Sequence, residues 1–182
     1  KKYGIIKPYL IYVGNAYPHK NLERLVVAYK KIKKENPDLS LVLVGGQDFF
    51  YDRLKKFTKE KSVKGVVFPG YIPDEELDVL YRHAKLYVFP SLYEGFGLPP
   101  LEALAKSTPV VSSSRTSMPE VLGDIVTYFD PEDLDSIRGA IRKGLKEGKK
   151  KLDKEKVALQ LSKFSWEEMA NQTKVIYEKI LK

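Results

Sequence analysis

The chain has no cysteine, only two histidines and a single tryptophan among its 182 residues. Without cysteine it can form no disulfide, no zinc ribbon and no thiol nucleophile. His19 and His83 are too far apart in sequence to suggest an imidazole metal cluster. No apolar run approaches the roughly 20 residues that a membrane span needs, and residues 1–8 lack a signal-peptide pattern. We therefore expect a cytoplasmic protein.

Several sequence signatures of common functions are also missing. Gly14-Asn15-Ala16 does not match the dinucleotide fingerprint, and no Gly-Lys-Ser/Thr occurs, which disfavours ordinary NAD enzymes and phosphate-loop NTPases. Ser112–Ser114 contains no nucleophile elbow and has no nearby histidine, so a hydrolytic triad is disfavoured. The lysine-rich runs lack interleaved aromatic residues, so we expect solvated helix faces and no nucleic-acid partner.

The chain does have the composition of a globular domain. It is 43% hydrophobic and 12% aromatic, enough to bury a core, and its length fits one domain over residues 1–182. A net charge of +8 permits anionic ligands. Short apolar runs without alternation are typical of strands buried on both faces. There are six such runs: Tyr9–Val13, Leu41–Val44, Val66–Phe68, Leu86–Phe89, Val110–Val111 and Ile125–Phe129.

Helical patterns separate these runs. One follows Asn21, a second follows Asp74, a third begins near Leu134, and a shorter one carries Leu54 and Phe57. We expect Asn21 and Asp74 to act as helix caps. Alternating strands and helices predict an α/β fold with a Rossmann-like, doubly wound parallel sheet of about six strands. Ligands of such sheets bind at the carboxyl ends of the strands.

The loop after the fourth run is the richest in residues suited to binding. Pro99 and Pro100 fit the start of a helix, and Gly95 and Gly97 allow close approach of the backbone, so free N–H groups there suit a diphosphate. Glu94 and Glu102 would repel a phosphate, so we expect both to accept from hydroxyl groups on either side of it, as a sugar nucleotide provides. The alternative is that Glu102 only complements the helix dipole and Glu94 is a solvated loop residue.

The segment Glu94–Ala103 resembles the Glu-x7-Glu signature of retaining nucleotide-sugar glycosyltransferases, the family of bacterial mannosyl- and glucosyltransferases and sucrose synthases. The resemblance extends, in family order, over about residues 9–146. It includes the segments Val13–Asn21, Gly70–Asp74, Pro109–Ser112 and Met118–Val121. These enzymes have the GT-B fold, in which two Rossmann-like domains face a cleft. The resemblance covers only the C-terminal, donor-binding domain.

The resemblance implies roles for individual residues. Glu94 would contact the donor sugar, and Glu102 the ribose. Lys20 would neutralise the diphosphate, and Lys20 and Glu94 would be the catalytic residues. The other implied binding residues are Gly14, Asn15, Gly45, Tyr71, Ile72, Gly95, Phe96, Gly97 and Leu98. Tyr71 and Ile72 would frame the base, and the N–H groups of Phe96, Gly97 and Leu98 would face the sugar and diphosphate.

One position departs from the family pattern. Asn15 stands where many members have an arginine that pairs with the lysine, so the diphosphate contacts are expected to be weaker or rearranged. No metal and no cofactor is implied besides the donor itself. The only Asp-x-Asp, Asp133-Leu134-Asp135, falls where a helix should begin and fits first-turn charge.

The resemblance implies transfer of a hexose from a nucleotide diphosphate sugar, such as GDP-mannose, UDP-glucose or ADP-glucose, to an unidentified acceptor. The partner would be an N-terminal acceptor domain, without which the chain should not turn over. Two alternatives stay open: a nucleotide-sugar binding module without catalysis, and, ranked last, a hydrolase that uses Glu94 and Glu102 as its dyad. Because many relatives glycosylate lipid carriers, attachment to an anionic membrane surface also stays open.

Residues Ser165–Lys182 have an apolar stripe at helical spacing, and Ser165 with Glu168 fits a capping box. In the resembling family the final helix crosses the cleft to the N-terminal domain. Here the stripe would fold back on this domain, pair with another copy or stay exposed. In each case we expect Trp166 to anchor the helix on the core.

Overall fold

The computed structural model describes residues 2–181, apart from the side chain of Lys151, so the two ends of the expected domain, Lys1 and Lys182, lie outside it. Within this range, the chain forms one parallel sheet with helices on its faces. The strands are β1 (Tyr9–Val13), β2 (Ser40–Val44), β3 (Val66–Gly70), β4 (Leu86–Phe89), β5 (Val110–Ser113) and β6 (Thr127–Phe129).

Helices follow the strands in the order that the sequence predicts. They are α1 (Leu22–Glu35), α2 (Phe49–Glu60), α3 (Asp74–His83), α4 (Leu98–Ala105), α5 (Met118–Leu122), α6 (Leu134–Glu147), α7 (Lys154–Ser162) and α8 (Trp166–Ile180). Two short 3₁₀ turns, Pro18–Lys20 and Gly148–Lys151, complete the described elements. The sequence patterns predicted neither α5 nor α7.

The strand order is β3-β2-β1-β4-β5-β6, with every pairing parallel. This is the doubly wound Rossmann order, and it confirms the expected fold class. The order reverses between β1 and β4, which pair through only two residues each, Leu10 with Leu86 and Ile11 with Tyr87. By contrast, β1 and β2 pair along five. The carboxyl ends of β1 and β4 therefore flank the point where this fold usually binds its ligand.

The core lies on both faces of the sheet, as the continuous apolar runs predict. All four residues of β4 are buried, and so are all five of β2. Tyr12, Tyr87, Phe89 and Phe129, which were expected in the core because they lie on strand runs, are indeed buried there. This double-sided burial holds the strand ends, and the loops that leave them, in fixed positions.

Two of the expected helix caps are wrong. Asn21 does precede α1, but its side chain does not cap the helix. It lies in the left-handed region at φ 59°, which asparagine tolerates, and its Nδ2 donates to the carbonyl oxygens of Pro90 (3.0 Å) and Pro131 (2.8 Å). Asp74 is the first residue of α3 rather than its cap, because Pro73 holds the cap position with an extended backbone.

The C-terminal helix forms, but its expected anchor is wrong. Ser165 Oγ accepts from the N–H of Glu168 at 3.3 Å, half of the capping box, while the Glu168 carboxylate accepts from Gln172. Trp166 is 74% exposed. The preceding helix α7, by contrast, buries Val157 and Gln160.

The contact near the start of α8 comes from a different aromatic residue. The ring of Phe164 packs edge-on against that of Phe96 in the loop before α4, with centroids 5.1 Å apart. No residue of α8 is buried among residues 2–181, so its apolar stripe is exposed. None of the helices described is both long enough and apolar enough to cross a bilayer.

Candidate functional site

The loops that follow β1 and β4 bring together the two charged residues expected to do the chemistry. Lys20 Nζ lies 2.6 Å from Glu94 Oε1, and the two side chains are only 15% and 11% exposed. They are 74 positions apart in sequence. A cation and a carboxylate so far removed from water interact strongly, and each needs a partner there. The sequence placed both residues at this edge of the sheet but did not predict that they pair.

Lys20 is held in place by its neighbours. It ends the 3₁₀ turn Pro18–Lys20, and the next residue, Asn21, ties this turn to the loops after β4 and β6 through the two carbonyls named above. The N–H of Leu92 donates to the carbonyl of His19 at 2.7 Å. These bonds hold the loop after β1 against the loop after β4, so that Lys20 reaches Glu94.

Glu94 is held from the other side by the loop after β5. Its N–H donates to Thr116 Oγ1 at 3.1 Å, and its carbonyl accepts from Ser117 Oγ at 3.0 Å. Thr116 has a φ of +52°, a strained value for a β-branched residue. The sequence does not point to either hydroxyl, because each lies more than 20 positions from Glu94 and belongs to no motif with it.

The start of α4 has the form that its prolines and glycines predict. The helix begins at Leu98 with Pro99 in its first turn, and Gly97 precedes it at φ +85°. A Cβ on Gly97 would be strained at this φ and would also lie 2.7 Å from Cε of Met118, so that the Met118 side chain would have to shift. Gly95 is different, since a Cβ there would meet nothing within 4 Å. Only Gly97 is therefore required by the local structure.

Glu102 lies on the exposed side of α4, one turn further along than expected. It is the fifth residue of the helix rather than a residue of the first turn, so helix-dipole charge does not explain it. Its Oε2 accepts from the hydroxyl of Tyr81 at 3.0 Å. Burial, and then the neighbouring Glu102 carboxylate, raise the pKa of Tyr81, which keeps that hydroxyl a donor at ordinary pH.

The first loop is supported from beneath by buried tyrosines. Tyr87 donates to the carbonyl of Val13 (3.2 Å), Tyr51 to that of Gly14 (2.8 Å) and Tyr12 to that of Asn15 (2.9 Å). From the sequence, Tyr12 and Tyr87 were expected only as core residues. A strand pattern indicates that a tyrosine ring is buried but does not show where its hydroxyl ends.

The remaining expected binding residues lie around this edge of the sheet. Gly45 follows β2 and packs directly against Tyr51 and the carbonyl of Gly14. Tyr71 is 72% exposed in the loop after β3, and the adjacent Ile72 is 2% exposed. A ligand could therefore meet the side chain of Tyr71, whereas the side chain of Ile72 is part of the core.

No group of three or more metal-ligating side chains occurs in the part of the chain that the structure describes. Asp133 caps α6 by accepting from the N–H of Asp135 at 2.8 Å, and Asp135 pairs with Arg138. Both aspartates thus belong to the start of a helix, as the sequence analysis interpreted them.

Comparison with known proteins gives a consistent result. The model of the family "Glycosyl transferases group 1" matches residues 2–160. The chain is 36% identical to the O-antigen chain mannosyltransferase B of Escherichia coli over 171 residues, which is 91% of this chain and 44% of that protein. It is 31% identical over 187 aligned residues to an MMP alpha-(1->4)-mannosyltransferase of Mycolicibacterium hassiacum, covering 98% of this chain and 44% of that one.

Solved structures agree. The sucrose-phosphate synthase of Thermosynechococcus elongatus superimposes with a TM-score of 0.80 at 30% identity, over 96% of this chain and 45% of that one. A glycosyltransferase of Rickettsia africae has a TM-score of 0.82 at 20% identity, over 96% of this chain and 48% of its own, which shows a shared fold. The chain thus spans less than half the length of these relatives.

Proposed function

The chain belongs to the group 1 glycosyltransferases, and from this premise we propose that it is the donor-binding half of a retaining enzyme that transfers a hexose from a nucleotide diphosphate sugar. The observation that carries the proposal is the Lys20–Glu94 pair, 2.6 Å apart at the carboxyl ends of β1 and β4. It places one positive and one hydroxyl-accepting group side by side, as the two ends of a sugar–phosphate linkage require.

The two charged side chains would bind different parts of the donor. Lys20 would turn from Glu94 to the diphosphate, and Glu94, freed of its cation, would accept from the hydroxyls of the sugar. The N–H groups of Phe96 and Gly97, just before α4, and of Leu98, its first residue, would face the same phosphates at the positive end of the helix. The positive end of the helix and Lys20 would then act together on the leaving group.

The base and ribose would lie further along the same edge. Glu102, oriented by the hydroxyl of Tyr81 at 3.0 Å, would accept from the ribose hydroxyls. The exposed ring of Tyr71 would lie against one face of the base, and Ile72 would contribute backbone contacts, since its side chain is buried. Gly14 and Gly45 would keep the surface near the diphosphate free of side chains.

In the transfer step, the bond between the anomeric carbon and the diphosphate oxygen breaks, and its electron pair leaves with the nucleoside diphosphate. The acceptor hydroxyl forms the new bond to that carbon, and its proton passes to the departing diphosphate. Lys20 and the mouth of α4 would stabilise the negative charge that develops on the departing oxygen. Such preorganised electrostatic stabilisation is usually the largest single contribution to catalysis.

The choice of sugar rests on the relatives. Two of them are named as mannosyltransferases, which makes GDP-mannose the first donor to test. UDP-glucose and ADP-glucose are the alternatives. We also propose a cytoplasmic location. Attachment to an anionic membrane surface is compatible with the net charge of +8, and sedimentation with anionic rather than neutral vesicles would reveal it.

A second candidate is a nucleotide-sugar binding module without turnover of its own. It is favoured by the length of the chain, which spans 44% of its mannosyltransferase relatives. Catalysis by proximity needs donor and acceptor held together in a closed cleft, and the described residues supply one wall. We propose that this chain by itself binds donor without transferring it. Transfer to a saccharide or lipid acceptor by the purified chain would contradict this.

Titration calorimetry tests the binding proposal directly. UDP, GDP and ADP are titrated with and without EDTA, and at least one should bind equally well in both conditions. The affinity should fall as salt is added, because the ligand is anionic. Binding that disappears on chelation would contradict the metal-free site, and no binding of any of the three would contradict the proposed function.

A pair of substitutions tests the division of labour. Glu102→Ala should weaken the binding of the free nucleotide and of the sugar nucleotide alike, since both contain ribose. Glu94→Ala should weaken the binding of the sugar nucleotide and leave the binding of the free nucleotide unchanged. Each lost charged hydrogen bond should cost about 1.5–3 kcal/mol. If both variants weakened free nucleotide to the same degree, the assignment would be wrong.

A further inference from the structure

Three successive carbonyl groups of the loop after β1 each accept a hydrogen bond from a different buried tyrosine. The hydroxyls of Tyr87, Tyr51 and Tyr12 donate to residues 13, 14 and 15, at 3.2, 2.8 and 2.9 Å. The three rings come from three different elements, β4, α2 and β1. All three side chains are at most 2% exposed. These contacts fix the rotation of three successive peptide groups, at the end of β1 and the start of the loop that follows it.

The orientation of these carbonyls determines where the neighbouring N–H groups point. In a planar trans peptide the C=O of one residue and the N–H of the next face in opposite directions. The carbonyls of Gly14 and Asn15 point inward to tyrosines, so the N–H groups of Asn15 and Ala16 point outward. Among residues 2–181 neither N–H has an acceptor, whereas the N–H of Gly14 donates to the carbonyl of Val44 at 3.0 Å.

Two glycines make this arrangement sterically feasible. A Cβ on Gly45 would lie 2.1 Å from the carbonyl oxygen of Gly14 and 2.5 Å from the hydroxyl of Tyr51. A Cβ on Gly14, which has a φ of +150°, would lie 2.7 Å from the hydroxyl of Tyr12. Neither distance is tolerated by a real side chain, so each glycine leaves the space that a tyrosine hydroxyl occupies.

We propose that Tyr12, Tyr51 and Tyr87 are positioning residues for the donor diphosphate: they turn the first loop so that the N–H groups of Asn15 and Ala16 face the phosphates beside Lys20. This inference rests on the proposed function. It also accounts for Asn15, because two oriented backbone donors supply the anion contact that an arginine supplies in many relatives. Successive N–H groups held in this way form an anion-binding concavity.

The tyrosines keep this role over a wide pH range. Burial raises the pKa of Tyr12, Tyr51 and Tyr87, so all three hydroxyls stay protonated and can only donate to the carbonyls. The effect of removing a hydroxyl should therefore be the same at pH 6 and pH 9. If the positioning group titrated in this range, the effect of removing it would differ between pH 6 and pH 9.

The test compares two kinds of Tyr→Phe variant in the chain. Tyr51→Phe and Tyr12→Phe each remove one hydroxyl beneath the loop. Tyr29→Phe is the matched control, because Tyr29 is equally buried and its hydroxyl donates to the carbonyl of Leu39 at 2.7 Å, at the opposite, amino-terminal edge of the sheet. All three variants should melt at a lower temperature, because each loses a buried side-chain hydrogen bond.

Only the variants beneath the loop should lose affinity. We expect Tyr51→Phe and Tyr12→Phe to bind UDP, GDP or ADP about tenfold more weakly, as the loss of one oriented hydrogen bond implies, with unchanged binding of the corresponding nucleoside. Tyr29→Phe should bind like the wild type. Equal affinities of Tyr51→Phe, Tyr12→Phe and Tyr29→Phe, at a temperature where all are folded, would overturn the inference and leave the proposed function intact.

A second measurement needs no variant. Inorganic pyrophosphate is titrated into the ¹⁵N-labelled wild-type chain, and the amide resonances of Asn15 and Ala16 should shift with the bound fraction. Binding that leaves both amides unmoved would refute the positioning role. A wild-type chain that binds neither pyrophosphate nor any nucleoside diphosphate would overturn the proposed function, and this inference with it.

Discussion

Replacing Glu94 by glutamine keeps the shape of the side chain and removes its charge, which leaves Lys20 without its partner. The two side chains are 15% and 11% exposed, so water can compensate the lost contact only in part. The matched control is Glu23→Gln, which breaks a pair with Arg53 of similar length, 2.8 Å, whose side chains are 41% and 49% exposed. The two substitutions are chemically identical and differ in burial.

The expected magnitudes follow from distance and burial. Unit charges 2.6 Å apart attract by about 6 kcal/mol at an effective dielectric constant of about 20, before the cost of desolvation. Desolvation cancels much of this, and a charged hydrogen bond typically contributes about 1.5–3 kcal/mol net. We expect Glu94→Gln to lower the free energy of unfolding by that amount and Glu23→Gln by about 0–1 kcal/mol.

Thermal melts and a double-mutant cycle with Lys20→Met measure both effects. For a domain of this size the loss should lower the melting temperature by about 3–12 °C. Saturating UDP or GDP should reduce the difference in melting temperature between Glu94→Gln and the wild type, because the diphosphate gives Lys20 a new partner. A coupling energy below about 0.5 kcal/mol, or a Glu94→Gln variant as stable as Glu23→Gln, would refute the view that this pair is a strong interaction poised to exchange with ligand.

Three further outcomes can be checked on the same chain. Gly97→Ala should destabilise the fold by about 1–3 kcal/mol in denaturant melts, because of its φ of +85° and the Met118 contact, whereas Gly95→Ala should change stability little; equal effects would contradict the steric argument. Burial raises the pKa of Tyr9 to about 12, so more protons are bound in the folded state and stability should fall from about pH 10 up to about pH 12. Tyr9→Phe should flatten that fall, and an unchanged slope would refute the linkage. Amides of Ile176–Leu181 should exchange faster than those of strand residues Leu41–Val44, since α8 has no buried residue; equal protection at low protein concentration would show that α8 is integral to the domain.

The sheet could be predicted from the sequence because its strands are buried on both faces. Apolar runs bounded by glycine or proline locate all six strands, and the spacing between them implies parallel crossovers. The boundaries were less certain: Ile125–Phe129 was expected as the last strand, and only Thr127–Phe129 pairs with β5. Pairing depends on the neighbouring strand, which the run itself does not reveal.

Within the site, local features were predictable and long-range ones were not. Pro99 and the glycines around it indicate a helix mouth because proline and glycine fix the backbone by themselves. The contacts that hold Glu94, from Lys20 and Thr116, join segments distant in sequence, so no local pattern contains them. The same limit explains Trp166, because the helical spacing around it does not show whether its side chain meets another element of the fold; it is 74% exposed.

The two-residue pairing of β1 with β4 has a consequence for engineering. The chain before Lys85 carries Lys20, and the chain after it carries Glu94, so the candidate site is divided between two contiguous pieces that meet along the shortest kind of strand contact in this sheet. A ligand that touches both residues crosslinks the pieces without a covalent bond. If the chain binds a nucleotide sugar as proposed, the two pieces, cut at Lys85 and expressed separately, should reassemble through the β1–β4 pairing and the packing of α1 on α6 more completely when that ligand is present, and so form a split reporter.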